Sequence, residues 1–181
     1  MFASYKKHNT KLYNKLVELS RNKFFYKELD LSDNFQTRVI LIFFHFIVIL
    51  KTKKNKDFKK VFQNIFDNIF QNIEIDIREL GYGDTKVNKT MKNLNNIFYD
   101  ILLKIEKKDP FLFQTNTWII DKYFYDGKNQ DREKTDKLAK YLEEFQNFCF
   151  DLDVNNVLKG SIDFKYSKWS YGSTKEKNLK V

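Results

Sequence analysis

Cysteine, proline, glycine and arginine are all scarce in this chain of 181 residues, and each shortage excludes something. A single cysteine, Cys149, can form neither an internal disulfide nor a multi-thiolate zinc site. That removes disulfide-scaffolded secreted domains and fits a reducing compartment. The two histidines add no CxxC, HExxH or ExxH set, so neither a metal nor another cofactor is expected. Five Gly and one Pro punctuate the chain too rarely for a many-stranded sandwich or barrel, which leaves long helices with few breaks. Only Arg21, Arg38, Arg78 and Arg132 supply guanidinium groups among the 33 basic residues. Because bidentate phosphate and base contacts favour Arg, sequence-specific nucleic-acid recognition is not expected.

What is present is charge of one sign and bulk. The net charge of +9 suits an anionic partner surface, although the abundance of Lys, Asn, Ile and Phe also fits AT-biased codon use. Nineteen Phe offer a large apolar payload, so the expectation is all-α, one compact domain of about six to eight helices. Residues 1–164 form that domain, and the Ser- and Lys-rich stretch 165–181 is expected to be a partly ordered basic tail.

The unbroken run VILIFFHFIVIL, residues 39–50, lies between Arg38 and Lys51. As a helix it would span about 18 Å, short of a hydrocarbon core near 30 Å, so a buried core helix is expected rather than a membrane span. The N-terminus carries no signal-like apolar stretch, and a cytoplasmic bacterial protein is the simplest reading. A first helix is expected over residues 5–20, ending near Phe24-Phe25-Tyr26, with Ser32 or Asp33 capping the next. The segment 51–60 holds six lysines (Lys51, Lys53, Lys54, Lys56, Lys59 and Lys60) and reads as an exposed loop running into a helix start. FQNIFDNIFQNI then sets Ile and Phe on one stripe of a helix over 61–77. Gly81 and Gly83 end it, and Asp84 is placed to cap a helix whose Val87, Met91, Leu94, Phe98, Ile101 and Ile105 form an apolar seam. Asp109-Pro110 suits a helix start before a short helix through Trp118 to Tyr123. A polar loop over 126–135 and a last long helix through Phe148 complete the chain.

Catalytic constellations are missing. His45 has no Ser or Cys at a readable offset and fits a hydrogen-bonded core histidine, while Cys149 between two Phe fits a buried apolar residue. Gly81-Tyr82-Gly83-Asp84 lacks the third glycine and the preceding strand of a dinucleotide fingerprint. By its residues it specifies a tight helix-turn-helix, with Glu74 and Arg78 spaced to pair.

The same turn carries a resemblance. IRELGYGDTKV, continued through Lys89, Met91 and Lys92 to Phe98-Tyr99, resembles the LRE(M/L)GVGD, V, K, K and FYGR pattern of the ubiquinol-cytochrome c chaperone family. Phe25-Tyr26, Asp33, Arg38 and His45 are similar to its FY...D...GRF...LH pattern, and Gly160 to Phe164 to its closing G-x-x-x-F element. The chain departs at Asn72-Ile73-Glu74, at Gln36-Thr37, and at Asp100-Ile101, where the family has Gly-Arg. The resemblance implies a non-enzymatic, all-helical assembly factor for ubiquinol-cytochrome c reductase, respiratory complex III, acting on newly made cytochrome b or its assembly intermediate. Mitochondrial relatives work with a small partner protein near the ribosomal exit tunnel, and a peripheral position on the cytoplasmic face of the inner membrane fits the same role. Arg38, His45, Arg78, Glu79, Tyr82 and Asp84 are expected to converge at one end of the body, with Lys89 and Lys92 beside them, as the client-binding surface. A polar network that fixes the turn would use Arg38, Glu79 and Asp84 equally well. The alternative function is a basic helical protein that meets ribosomal RNA or an anionic membrane through Lys51 to Lys60.

Overall fold

In the computed structural model, residues 11–53, 56–105, 116–127 and 132–166 are described, with 56–60 as backbone. Eight helices account for the regular structure among them: α1 (Lys11–Ser20), α2 (Lys23–Lys27), α3 (Phe35–Thr52), α4 (Lys56–Glu79), α5 (Asp84–Lys104), α6 (Thr117–Phe124), α7 (Arg132–Asp151) and α8 (Val154–Leu158). No strand occurs among the described residues. The all-α expectation holds, and one hydrophobic core links the helices.

The apolar run is the axis of that core. Every residue from Val39 to Ile49 is buried, so α3 needs apolar surface on all sides instead of one stripe. Its main neighbours are α7, α1 and α5. At 18 residues with a mean hydropathy of 1.6, α3 is long and apolar enough to cross a membrane; in this fold the other helices enclose it. Directions follow from paired contacts. His45 meets Tyr141 and Lys53 meets Phe150, so α7 runs parallel to α3. Lys51 meets Ile105, so α5 ends beside the end of α3, whereas Tyr13 meets Asp76 near the far end of α4. Thus α3, α5 and α7 end together, and α4 returns to the end where α3 begins.

The amphipathic stripes pack as their spacing requires. Ile65, Ile69, Phe70, Ile73 and Ile77 of α4 are buried, as are Val87, Leu94, Phe98 and Ile101 of α5. Phe43 stacks on Phe70 at 5.4 Å and meets Phe98 edge-on at 5.3 Å, tying α3, α4 and α5 together through rings.

Several boundaries differ from the sequence expectation. The first helix ends at Ser20, and Phe24-Phe25-Tyr26 lie in α2, capped by Asn22. Asn34, not Ser32 or Asp33, caps α3: the amide of Thr37 donates to its Oδ1 at 2.9 Å. Lys51 and Thr52 belong to α3 and α4 starts at Lys56, so 51–60 is mostly helix and not a loop. Likewise α7 starts at Arg132, inside the expected polar loop, and α8 follows it. The expected helix start at Asp109-Pro110, together with Tyr5 and Lys54, lies outside the described residues. Of the expected tail, Lys165 and Tyr166 are described, and Tyr166 is buried between Phe24 and Tyr141 at 4.8 and 5.1 Å.

Candidate functional site

The LGYGD turn joins the last turn of α4 to the first of α5. Gly81 takes φ of +83°, a left-handed conformation that ends α4 and that Gly adopts without a Cβ penalty. Gly83 is different. It is the N-cap of α5 with φ of −69° and ψ of 159°, and a Cβ there would meet nothing within 4 Å. Asp84 is therefore not the cap; it is the first helical residue and makes no capping bond. It lies instead against Arg78, whose Nη1 donates to Asp84 Oδ1 at 2.5 Å while Nε and Nη2 donate to Glu74 Oε1 at 3.0 and 2.8 Å. One guanidinium thus spans the turn, and its acidic partners, Asp84 first, hold it even more firmly charged than usual. A carboxylate in the first turn of α5 also suits the positive end of that helix.

The outer face of the turn is apolar and cationic. Leu80 is 53% exposed and Tyr82 39%, and Lys86 Nζ sits 3.8 Å from the centroid of the Tyr82 ring. Lys86, Lys89 and Lys92 follow at three-residue steps along α5, all exposed, and Glu79 is exposed at the end of α4.

Beside the turn lies a groove of about 240 Å³ between α1, the start of α3 and the end of α4. Arg38 and Arg21 line it with Asp33, Asp76, Phe35 and Leu80. Arg38 reaches back to Asp33, with Nη2 to Oδ1 at 2.6 Å, and the Tyr13 hydroxyl donates to Asp76 Oδ2 at 2.5 Å. Burial, then Asp33, pushes the nearby Tyr26 phenol up, and that hydroxyl donates to the carbonyl of Ser20 at 2.6 Å.

The expected convergence is therefore partial. Arg38, Arg78, Glu79, Tyr82 and Asp84 share one end of the body, with Lys89 and Lys92 next to them on α5. His45 is not with them. It lies wholly buried at the middle of α3, its Nδ1 2.7 Å from the Leu41 carbonyl and its Nε2 2.9 Å from the Tyr141 hydroxyl. A carbonyl only accepts, so Nδ1 carries the proton and Tyr141 donates to Nε2. Burial lowers the His45 pKa to about 4, which keeps the ring neutral. Cys149 is likewise buried, its thiol pushed up to about 12 by desolvation, far from a reactive thiolate. Among the described residues no group of three or more His, Cys, Asp or Glu stands together as metal ligands.

Sequence reasoning missed Leu80 and Lys86 at this site and, near the opposite end of α5, Asp100. Leu80 and Lys86 were hidden because exposure of one Leu or one Lys has no sequence mark. Asp100, where the family pattern has Gly, accepts from Lys104 at 2.5 Å, Lys122 at 2.7 Å and the Tyr123 hydroxyl at 2.5 Å, and so ties α6 to α5.

The lysines of 51–60 divide. Lys51 Nζ donates to the Ile105 carbonyl at 3.2 Å and Lys53 Nζ to the Phe150 carbonyl at 3.0 Å. Lys56, Lys59 and Lys60 lie in the first turns of α4, at the end of the body opposite the LGYGD turn.

Comparison with known proteins agrees with the motif. The profile of the family described as Ubiquinol-cytochrome C chaperone matches residues 27–164. The fold is similar to the crystal structure of the Cbp3 homolog from Brucella abortus, with a TM-score of 0.67 and 20% identity over 87% of this chain and 88% of that one. No curated protein gives a significant sequence match.

Proposed function

This chain belongs to the ubiquinol-cytochrome c chaperone family, and from that premise we propose that it holds cytochrome b, or an intermediate containing it, on the LGYGD turn and the adjoining groove. The family's description as a ubiquinol-cytochrome c chaperone supports a role in assembling ubiquinol-cytochrome c reductase rather than in catalysis.

The observation that carries the surface assignment is Gly83. Its backbone conformation is open to any residue and the space around it is empty, so beyond a modest N-cap preference the fold does not require glycine there. A glycine flanked by an exposed Tyr, beside an exposed Leu, lets another chain approach the backbone closely. Leu80, Tyr82 and Phe35 offer apolar contact, while Lys86, Lys89 and Lys92 offer cationic contact, a combination suited to an apolar client segment with acidic or carbonyl-rich ends. His45 supports this surface only through the core.

A work site on the cytoplasmic face of the inner membrane, with a small partner protein and the ribosome nearby, belongs to the same proposal. Its test is capture of cytochrome b from solubilised membranes by the purified chain. Tyr82→Ala, Gly83→Val and the pair Lys89→Glu with Lys92→Glu should each lower capture at least about tenfold, the loss usual for a hot spot, with thermal unfolding nearly unchanged. Undiminished capture by all three would move the client site elsewhere.

A further inference from the structure

The two ends of this body differ in chemistry. All four arginines are away from the end where α3, α5 and α7 finish: Arg38 and Arg132 begin α3 and α7, Arg78 ends α4, and Arg21 follows α1 in the Arg38 groove. At the far end lysine is the cation, with Asp100, Asp151 and Asp153 beside it. Lys51 and Lys53 donate to carbonyls at the ends of α5 and α7, neutralising the partial negative charge that three helix C-termini gather there. Around them large apolar side chains face outward: Leu103 is 77% exposed, Phe150 55% and Trp118 48%. Lys104 Nζ lies 5.8 Å from the Trp118 ring, so cation and aromatic share one patch. In sequence, the segment 51–60 holds six lysines against one Asp, and α4 starts within it at Lys56.

We propose that this end is a docking surface for an anionic lipid bilayer, with Leu103, Trp118 and Phe150 entering the headgroup boundary and the surrounding lysines held over lipid phosphates. Three features select lipid over RNA. Trp at a polar–apolar boundary suits the headgroup level. Lysines attract anionic lipid as point charges, without needing a fork geometry. Guanidinium groups, which phosphate and base recognition in RNA favours, stand at the opposite end. This docking surface rests on the membrane work site proposed above and does not use the client-binding turn, so loss of vesicle binding would leave capture of cytochrome b intact.

The test is co-sedimentation of the full chain with vesicles of phosphatidylglycerol mixed with phosphatidylcholine, against vesicles of phosphatidylcholine alone. Binding should need the anionic lipid. The triple variant Leu103→Ser, Trp118→Ala, Phe150→Ser should bind at least about tenfold less, from lost apolar transfer, with an unchanged helical spectrum. Replacing Lys56, Lys59 and Lys60 by Gln should weaken binding further at low salt. In a Trp169→Phe background, Trp118 fluorescence should shift to the blue and be quenched by brominated lipid. Full binding by the apolar triple variant, an unshifted Trp118, or equal capture of a ribosomal RNA fragment that ignores those apolar substitutions would each overturn the proposal, the last by showing polyanion attraction alone.

Discussion

Three glycines of this chain answer to three different demands, and alanine substitutions separate them. Gly81→Ala keeps a positive φ in open space and should cost about 1 kcal/mol. Gly160→Ala should cost clearly more, because φ is +69° and the new Cβ would stand 2.6 Å from the Lys11 carbonyl oxygen. Gly83→Ala meets no steric conflict and should cost no more than the poorer N-cap does, up to about 1 kcal/mol, and chemical denaturation of the three variants checks that Gly160→Ala is the most costly. His45 gives a pH prediction. Burial lowers its pKa from 6.5 to about 4, so between those values the unfolded chain binds a proton that the folded one refuses. Its contribution is complete above the unfolded value and should fall by up to roughly 3 kcal/mol as pH drops to the folded one. The slope of stability against pH should flatten in His45→Gln, and Tyr141→Phe, which strands Nε2 without a donor, should cost about 1–3 kcal/mol at neutral pH. At this scale the sequence showed which residues matter better than what they do. Asp33, Asn34 and Asp84 are all able to cap, and only the helix phase decides that Asn34 and Gly83 take the position.

Helices with a marked apolar stripe were legible: α4, α5 and α7 follow Ile, Leu and Phe at three- and four-residue steps. α3 was legible as a core helix because eleven apolar residues around His45 leave no polar face for solvent. Lysine misled at its end. A run of six looks like solvent-exposed loop, yet Lys51 and Lys53 find helix carbonyls that only the tertiary arrangement brings within reach. The link between α5 and α6 was not legible either, since nothing in the sequence pairs Asp100 with Lys122 and Tyr123. Hydrogen bonds from Lys104, Lys122 and Tyr123 outweigh the effect of burial and hold the Asp100 carboxyl well below its ordinary range. Asp100→Ala removes that acceptor. Amide-exchange protection over Thr117–Phe124 should then fall at least about tenfold while α3 stays protected, because α6 opens locally and the central helix opens only with the whole fold. Equal loss in both helices would mean that Asp100 supports the entire core.

The whole molecule is a helical body with unlike ends. One carries the motif turn, the Arg38 groove and all the arginines; the other carries lysines and outward-facing Leu103, Trp118 and Phe150. Motif spacing made the first end readable, except that His45 shares a pattern with Arg38 without sharing its place: seven residues along α3 carry it two turns into the core. The second end was half readable, since lysine runs show in a sequence and a surface of separated Leu, Trp and Phe does not. Assembly of ubiquinol-cytochrome c reductase is read out by the reduced-minus-oxidised absorption spectrum of membranes from a strain lacking this gene. The cytochrome b signal of the reductase should fall, return with the intact gene, and return only weakly with Tyr82→Ala or Gly83→Val. A reductase signal at full strength without the gene would mean that this chain is not needed for assembly of the reductase.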